Sequence, residues 1–186
     1  MPVQTDLFAP ALPQGFVYEP EFLSPADEAR LIGEAEGLAF KPFEFRGFLG
    51  KREVVSFGWK YDYNDRSFRS VTAIPDWLLP VREQAAGFAG LAPEALEQAL
   101  VTRYEAGTSI GWHRDRPVFE DVVGISLTSP CTFRFRRKVG DQWERRSLAA
   151  EPRSIYLLRG PSRHEWEHSI PAVDALRYSV TFRALA

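Results

Sequence analysis

A chain of 186 residues that is 45% hydrophobic and 13% aromatic is long enough and apolar enough to fold around a sizeable core, which excludes wholesale disorder. The formal net charge of −2 excludes a basic surface spread over the whole molecule, so any surface that binds nucleic acid must be local. The single cysteine, Cys131, cannot form an internal disulfide, and its neighbours predict a buried structural thiol in a reducing compartment.

The N-terminal residues show no targeting pattern. Residues 1–14 contain three prolines and no basic region followed by an apolar run, which predicts a loose tail rather than a signal peptide. No stretch of the sequence has the length and apolarity of a membrane span. We therefore expect a cytoplasmic protein that has no membrane partner, is a monomer, and consists of one domain over residues 15–186.

The first half of the chain is mostly helical in pattern. The segment SPADEARLIGEAEGL (residues 24–38) begins with a serine that can cap a helix, followed by a proline and acidic residues suited to the first turn. A second helix is predicted within residues 75–90 and a short third helix within residues 93–100. Between the first two helices, residues 40–64 contain strand-like stretches that glycines interrupt.

From residue 100 the pattern changes to short strands separated by turns. Seven segments are strand candidates: residues 100–104, 110–115, 122–127, 132–137, 143–148, 153–158 and 176–185. Many short strands after a helical half predict an α+β fold, whose core is a β-sandwich or jelly roll with helices packed on one outer face.

The last candidate strand, RYSVTFR, alternates polar and apolar side chains. One face has Arg177, Ser179, Thr181 and Arg183, and the other has Tyr178, Val180 and Phe182. On pattern alone, a surface strand with its polar face in water is the commoner case. In a jelly roll, the apolar face would instead pack on the helices, while the polar face lines a site for an anion in the barrel mouth.

The segment GWHRDRP places two possible metal ligands one residue apart. On a strand, His113 and Asp115 would share a face, because side chains alternate between the two faces. With one later histidine they would form the triad typical of non-haem Fe(II), which leaves three coordination positions open. A closed structural zinc site would need a fourth protein ligand, and none is evident in the sequence.

The two later histidines lie in the segment HEWEH, which matches the HExxH signature of zinc metalloproteases. That motif works only on a helix, where His164 and His168 would share a face and Glu165 would act as general base. Pro161 and Pro171 flank the segment closely and leave too little room for a stable helix. The sequence therefore disfavours the protease and favours a strand that enters a loop.

Several ordered motifs indicate a family. The segments TRYEAGTSIGWHRD, RHEWEHSIP and RYSVTFR, preceded by GFVYEPEFLSPADEARL, resemble the AlkB-like family of Fe(II)- and 2-oxoglutarate-dependent dioxygenases over residues 15–184. The resemblance implies a double-stranded β-helix, which is a jelly roll, at residues 100–184. It also implies Fe(II) as cofactor, 2-oxoglutarate as cosubstrate, and dioxygen.

The same resemblance implies which residues bind the iron. The ligands would be His113, Asp115 and His168. His168 is expected rather than His164 because the family ligand directly precedes a turn, here SIP. His164 would then lie beside the site or on the surface.

The polar face of the last strand would hold the cosubstrate. By resemblance, Arg177 would pair with the distal carboxylate of 2-oxoglutarate, helped by the Tyr104 hydroxyl, and Arg183 would lie nearer the chelating end. Ser179 and Thr102 stand where the family pattern has asparagines. Both departures affect the cosubstrate slot and leave the proposed triad intact.

Residues 40–70 resemble the lid of the family members that repair DNA. In those proteins an aromatic-rich lid clasps a flipped base, and FGWKYDYN offers Trp59, Tyr61 and Tyr63 for the same role. A core strand with aromatic packing explains the pattern equally well. The lid therefore remains one of two interpretations.

A second feature that could contact a nucleic acid is the basic segment RFRRKVGDQWERR. It could bind phosphates, although charged hairpins are often only solvated surface. Four more basic residues could extend it: Lys51, Arg52, Arg66 and Arg69.

Three functions are compatible with the sequence. The first is oxidative demethylation of N-alkylated nucleobases, with alkylated DNA or RNA as partner. The second is an AlkB-like oxygenase that acts on protein or another substrate, which Pro117 favours because repair members often carry an acidic residue there. The third is an inactive metal-binding scaffold, which the intact triad and both arginines disfavour.

Overall fold

The computed structural model describes residues 11–45, 48–62 and 67–186, with the backbone alone at residues 45, 48, 60–62 and 67–70. Its helices are α1 (Pro25–Glu36), α2 (Leu79–Ala89) and α3 (Pro161–His164), with 3-10 turns at Asp76–Leu78 and Pro93–Ala95. Its strands are β1 (Phe16–Glu19), β2 (Lys41–Phe45), β3 (Phe48–Phe57), β4 (Trp59–Asp62), β5 (Ser67–Ser70), β6 (Leu96–Tyr104), β7 (Ile110–His113), β8 (Phe119–Leu127), β9 (Cys131–Val139), β10 (Gln142–Ala150), β11 (Ile155–Leu158), β12 (Glu167–Ile170) and β13 (Arg177–Leu185).

The strands form a jelly roll of two antiparallel sheets. The larger sheet has the order β1-β11-β8-β13-β6-β3-β2, and the smaller sheet has the order β10-β9-β12-β7. Strands β4 and β5 form a separate two-stranded ribbon. The predicted α+β jelly roll is therefore confirmed, and each of the seven predicted strand segments overlaps a strand of the two main sheets.

Helices α1 and α2 pack on the outer face of the larger sheet. The Ser24 hydroxyl caps α1 by accepting a hydrogen bond from the Asp27 backbone N–H at 3.1 Å, as the sequence predicts. Helix α2 ends at Gly90, whose φ of 67° lies in the left-handed region that glycine adopts without strain. Buried residues of both helices belong to one core with Tyr178 and Phe182 of β13.

The predicted third helix is wrong. Residues 93–95 form only a 3-10 turn, and the chain then enters β6, which lies between β13 and β3 in the larger sheet. The strand is buried on both faces over most of its length, so its apolar run carries no alternation that would distinguish it from a helix. Pairing with two neighbouring strands outweighs the helix propensity of its Glu, Ala and Leu residues.

A short strand at residues 167–170 was not predicted. This segment is β12, a short strand that pairs with β9 on one side and β7 on the other. Its four residues are too few to show a period, and the charged Glu167 conceals that the strand lies inside the sheet. Strand β1, at residues 16–19, was likewise not predicted.

A second core lies between the two sheets. It joins Tyr104 and Val122 of the larger sheet to Phe133 and Phe135 of the smaller sheet. Cys131 is buried in this core, as predicted, and burial raises the pKa of its thiol. None of the helices in the described ranges is long and apolar enough to cross a membrane.

Candidate metal centre and its cavities

Three side chains meet between the two sheets. His113 of β7 and His168 of β12 are direct cross-strand partners, so their side chains point to the same inner face. Asp115 follows β7, and its Oδ1 lies 3.6 Å from Nε2 of His113 and 3.9 Å from Nε2 of His168. The three ligand atoms lie within 4.8 Å of one another, and no other such group of metal-binding side chains occurs in the described part of the chain.

The imidazoles are oriented for a cation. Nδ1 of His113 donates to the Gly111 carbonyl at 2.9 Å, which leaves the lone pair of Nε2 directed at Asp115. The His168 ring stacks on Phe133 with an interplanar angle of 11°. Burial, aided by the neighbouring His113, lowers the pKa of His168 to about 3, so this ring is neutral at neutral pH and can act as a ligand.

The carboxylate of Asp115 is held by an arginine of the opposite sheet. Nε of Arg183 donates to Oδ2 of Asp115 at 2.6 Å, and Nη1 of Arg183 donates to Gln98 at 2.9 Å. Burial opposes ionisation of Asp115, but the positive charge of Arg183 holds its pKa well below the usual value. Asp115 is therefore ionised, with one oxygen on Arg183 and the other facing the imidazoles.

Arg177 lies at the other end of β13 and is an unusually buried cation. Only 1% of the residue is exposed, and its guanidinium lies 4.7 Å from the centre of the Tyr104 ring. Nη2 donates to the Ser126 hydroxyl at 2.6 Å, whereas Nε and Nη1 are buried without a hydrogen-bond partner among the described residues. A buried cation with two unsatisfied donors is costly, so this site suits a carboxylate ligand.

The polar face of β13 lines the space between these two arginines. Ser179 and Thr181 are both buried, and the Ser179 hydroxyl lies 3.4 Å from the Tyr104 hydroxyl. A small cavity reaches from the metal cluster along Thr181 and Tyr104. The solvated-strand interpretation of RYSVTFR is therefore wrong, because both faces of β13 are covered.

Tyr156 also lines this cavity, and it was not predicted from the sequence. Its ring crosses Gly124 of the neighbouring strand, where an added Cβ would lie 2.1 Å from Cζ of Tyr156. Burial raises the pKa of the Tyr156 hydroxyl, which stays protonated and can donate a hydrogen bond into the cavity. The glycine inside the apolar segment VVGISL was the available signal, since such a glycine marks a close approach.

Two larger cavities open from the metal cluster toward solvent, with volumes of about 720 and 380 Å³. His113 and Asp115 line both cavities, as do Phe43, Arg52 and Arg116. The Arg52 guanidinium lies 3.9 Å from the centre of the Phe43 ring. A molecule that reaches the metal cluster from outside therefore passes aromatic and cationic side chains.

Of the three predicted lid residues, only Trp59 has its side chain within the described structure. The Trp59 carbonyl accepts a hydrogen bond from Gln98 at 2.9 Å, and Trp59 is not among the residues that line these three cavities. The Tyr61 side chain and all of Tyr63 fall outside the described residues. So do Arg66 and the Arg69 side chain, whereas Lys51 and Arg52 line the largest cavity.

His164 is not part of the metal cluster. It ends the short helix α3, is exposed, and its Nε2 donates to Glu120 at 2.9 Å. His168 lies beyond that helix, on β12, so the two histidines do not share a helical face. The protease hypothesis is therefore wrong, because the HExxH geometry requires one continuous helix.

Comparisons with known proteins agree with this geometry. A sequence model of the 2OG-Fe(II) oxygenase superfamily matches residues 15–183. The fold is similar to the structure of OsALKBH1, with a TM-score of 0.71, 19% sequence identity, and coverage of 94% of this chain and 98% of that chain.

Three curated relatives are similar in sequence. The Alkylated DNA repair protein ALKBH8 homolog of Arabidopsis thaliana is 28% identical, over 91% of this chain and 55% of that protein. The tRNA (carboxymethyluridine(34)-5-O)-methyltransferase alkbh8 of Xenopus tropicalis is 24% identical, over 90% of this chain and 27% of that protein. The Alpha-ketoglutarate-dependent dioxygenase alkB homolog 7, mitochondrial, of Bos taurus is 30% identical, over 83% of this chain and 66% of that protein. The chain thus spans about half of the Arabidopsis protein and about a quarter of the Xenopus protein.

Proposed function

Because this chain belongs to the 2OG-Fe(II) oxygenase superfamily and is AlkB-like, we propose that it removes N-alkyl groups from nucleobases of DNA or RNA by oxidation. The superfamily uses Fe(II), 2-oxoglutarate and dioxygen, and the cluster of His113, Asp115 and His168 fits its iron site. The chain is therefore a 2-oxoglutarate-dependent dioxygenase. Its cytoplasmic location, monomeric state and single domain stay predictions.

The proposed iron ligands are His113, Asp115 and His168. Their ligand atoms lie within 4.8 Å of one another, and a metal held by three protein ligands would have further coordination positions for 2-oxoglutarate and dioxygen. When bound, the iron supplies the oxidation of a substrate C–H bond, coupled to conversion of 2-oxoglutarate to succinate and CO₂. An N-methyl group that gains a hydroxyl in this way is lost as formaldehyde.

The proposed cosubstrate slot runs along β13. Arg177 binds the distal carboxylate of 2-oxoglutarate through its two unsatisfied nitrogens, and the Tyr104 hydroxyl contributes a further hydrogen bond. Ser179 holds the Tyr104 hydroxyl from the neighbouring strand. Arg183 acts at the iron end, where it fixes the orientation of Asp115.

The charge of the largest cavity is the observation that supports a polyanionic substrate. Five lining residues are basic: Lys51, Arg52, Arg114, Arg116 and Arg163. Two lining residues are acidic: Asp115 of the metal cluster, and Glu167, which is paired with Arg136 at 2.6 Å. The excess of positive charge beside the metal favours a phosphate-bearing substrate over a neutral or cationic one.

The same cavity offers surfaces for a base. Phe43 and Trp112 both line it, and aromatic rings stack on the faces of extruded or single-stranded bases. We assign these two residues to base binding in place of Trp59, which does not line this cavity. Tyr61 and Tyr63 stay predicted contacts.

A non-nucleic-acid substrate is the second candidate function. Pro117, which stands where repair members often carry an acidic residue, lines the largest cavity close to the metal cluster. A cavity without that carboxylate also suits an acidic protein segment, because the cations that bind phosphates also bind carboxylates.

Succinate production with defined substrates tests the proposal. Purified protein is incubated with Fe(II), ascorbate and 2-oxoglutarate, with oligonucleotides that contain 1-methyladenine or 3-methylcytosine, and with unmodified controls. We expect succinate, formaldehyde and restored bases only with the alkylated strands. Succinate formation stimulated by an acidic peptide, without base restoration, supports the second candidate, and no turnover with any substrate supports the inactive scaffold.

A further inference from the structure

The outer face of the smaller sheet concentrates basic and aromatic side chains. Alternate residues of β9 point outward on this face, as do their antiparallel partners on β10: Lys138 pairs with Trp143, and Arg136 pairs with Arg145. We call this surface the stacked face: Trp112, Arg134, Arg136, Lys138, Trp143 and Arg145. Four of the six basic residues of the segment RFRRKVGDQWERR therefore share one face of the β9–β10 hairpin.

Guanidinium and indole groups alternate across the stacked face. The Arg136 guanidinium lies 4.6 Å from the centre of the Trp112 ring and 4.3 Å from the centre of the Trp143 ring. Arg134 lies 5.0 Å from the Trp112 ring and donates to the Ser169 hydroxyl at 3.0 Å. These contacts hold flat groups in fixed positions, while 39% of Trp143 stays exposed.

The stacked face has an excess of positive charge that the rest of the hairpin lacks. Arg136 and Arg145 are direct cross-strand partners, an arrangement that is unfavourable for like charges. On the other side of the same hairpin, Arg137 and Arg146 are both paired with Glu144. The stacked face has four cations, and Glu167 is the acidic residue that pairs with them, at Arg136.

We propose that the stacked face binds single-stranded nucleic acid outside the cavity and guides the strand toward the metal centre. Trp112 belongs both to this face and to the lining of the largest cavity, so the two surfaces are continuous. Lys138 and Arg145 are exposed and contact phosphates, and a base stacks on Trp143. Flat indole surfaces beside the cations favour a polynucleotide over an acidic peptide, which has no ring to stack. The inference rests on the proposed nucleic-acid substrate.

Binding of an unmodified strand tests this surface separately from the reaction. The probe is a short fluorescein-labelled single-stranded oligonucleotide without alkylated bases, titrated with the full chain and followed by fluorescence anisotropy. We expect the double variant Lys138→Glu/Arg145→Glu to bind at least about tenfold more weakly, and the slope of log K against log salt to fall by about 1.4, since each single-strand phosphate contact contributes about 0.7. Trp143→Ala is expected to bind about tenfold more weakly, and Trp143→Phe to restore most of the affinity.

Arg30→Glu is the matched control, because it reverses an exposed charge on α1, on the outer face of the larger sheet. It is expected to leave oligonucleotide affinity unchanged, and thermal unfolding checks that every variant is folded. Equal weakening by Arg30→Glu, or unchanged binding in the double variant, overturns the proposal. Tighter binding of an acidic peptide than of the oligonucleotide overturns it in favour of a protein partner. Loss of the proposed demethylation, with variant-sensitive binding intact, would remove the assigned reaction and leave this surface standing.

Discussion

Two arginines on one strand illustrate how single residues in this site have different roles. Arg183 already has a carboxylate partner in Asp115, whereas Arg177 has two buried nitrogens without a partner among the described residues. In the proposed site, the first arginine holds a proposed metal ligand, and the second is preorganised for a ligand that comes from outside. Arg177 should therefore affect the cosubstrate more than the metal.

Replacement of Arg177 by lysine tests this division of roles. Lysine keeps the charge and loses the planar fork, so we expect 2-oxoglutarate to bind about 10- to 100-fold more weakly, as for loss of one charged hydrogen bond worth about 1.5–3 kcal/mol. The measurement is an anaerobic titration of the Fe(II)-loaded protein with 2-oxoglutarate. Arg103→Lys, on the adjacent strand but paired with Glu53, is the control and should leave the affinity unchanged.

The two histidines of HEWEH should differ sharply in metal binding. His168→Ala removes a proposed ligand, and we expect it to weaken Fe(II) binding by more than about 100-fold, because even residues that only orient ligands cost 10- to 100-fold. His164→Ala removes only a surface contact with Glu120 and should retain Fe(II). Titration of both variants with Fe(II) measures the two affinities. An equal loss of affinity in both variants would contradict the assignment of His168.

At the scale of strands and helices, the sequence predictions were most accurate where the hydrophobic pattern of a segment matches its observed burial. Helix α1 was predicted from its cap and first turn, and the seven strand segments from residue 100 onward from their short length, close spacing and the turns between several of them. The first part of β6, residues 96–99, was mistaken for a helix because a strand covered on both faces shows no period of two. Strand β12 was missed because its position depends on pairing with β9 and β7, which no local pattern of four residues records.

The site was predictable for a related reason. His113 and Asp115 share a short motif, and the alternation of RYSVTFR marks the face with Arg177. The hydrogen bond from Arg183 to Asp115 joins residues that are 68 positions apart, so it follows only from the folded sheets. Family resemblance, rather than pattern, supplied the choice of His168.

The contact between Gly124 and Tyr156 gives a prediction at the scale of neighbouring strands. Gly124→Ala places a methyl group 2.1 Å from the Tyr156 ring, so we expect a loss of about 1–3 kcal/mol in the free energy of unfolding. Adding Tyr156→Ala removes the obstacle, and the double variant should lose less than the sum of the two single variants. Denaturant unfolding measures all three proteins.

Gly87→Ala is the matched control for that series. Its added methyl group meets nothing within 4 Å, and it lies inside α2, where alanine is the better helix former by about 0.8–1 kcal/mol. We expect a gain in the free energy of unfolding. A loss equal to that of Gly124→Ala would indicate a general intolerance of substitution rather than the Tyr156 contact.

At the scale of the whole molecule, the two sheets contribute different side chains to the site. The larger sheet carries helices on its outer face and Arg177 and Arg183 on its inner face, while the smaller sheet supplies His113 and His168. A bound cation would therefore connect β7 and β12 to Asp115, and Arg183 extends that connection to β13. Metal binding should thus stabilise the entire fold.

Thermal unfolding with a redox-stable cation measures this coupling. With Mn(II) at 100 times its dissociation constant, we expect about 2.7 kcal/mol of added stability. For a chain of this size that corresponds to a rise of about 5–10 °C in Tm. A chelator should reverse the rise, and His168→Ala should show none. A rise of the same size in His168→Ala would place the cation elsewhere.

Strand β13 also fixes the distance between Arg177 and Arg183. Arg177 and Arg183 are six positions apart on one uninterrupted strand, so the distance between the proposed carboxylate anchor and the proposed iron ligand Asp115 is set by whole residues. Insertion of a single residue between them would turn Arg183 toward the helices and lengthen the span at once. The number of residues between the two arginines can therefore change only in steps of two if both side chains are to stay on the inner face.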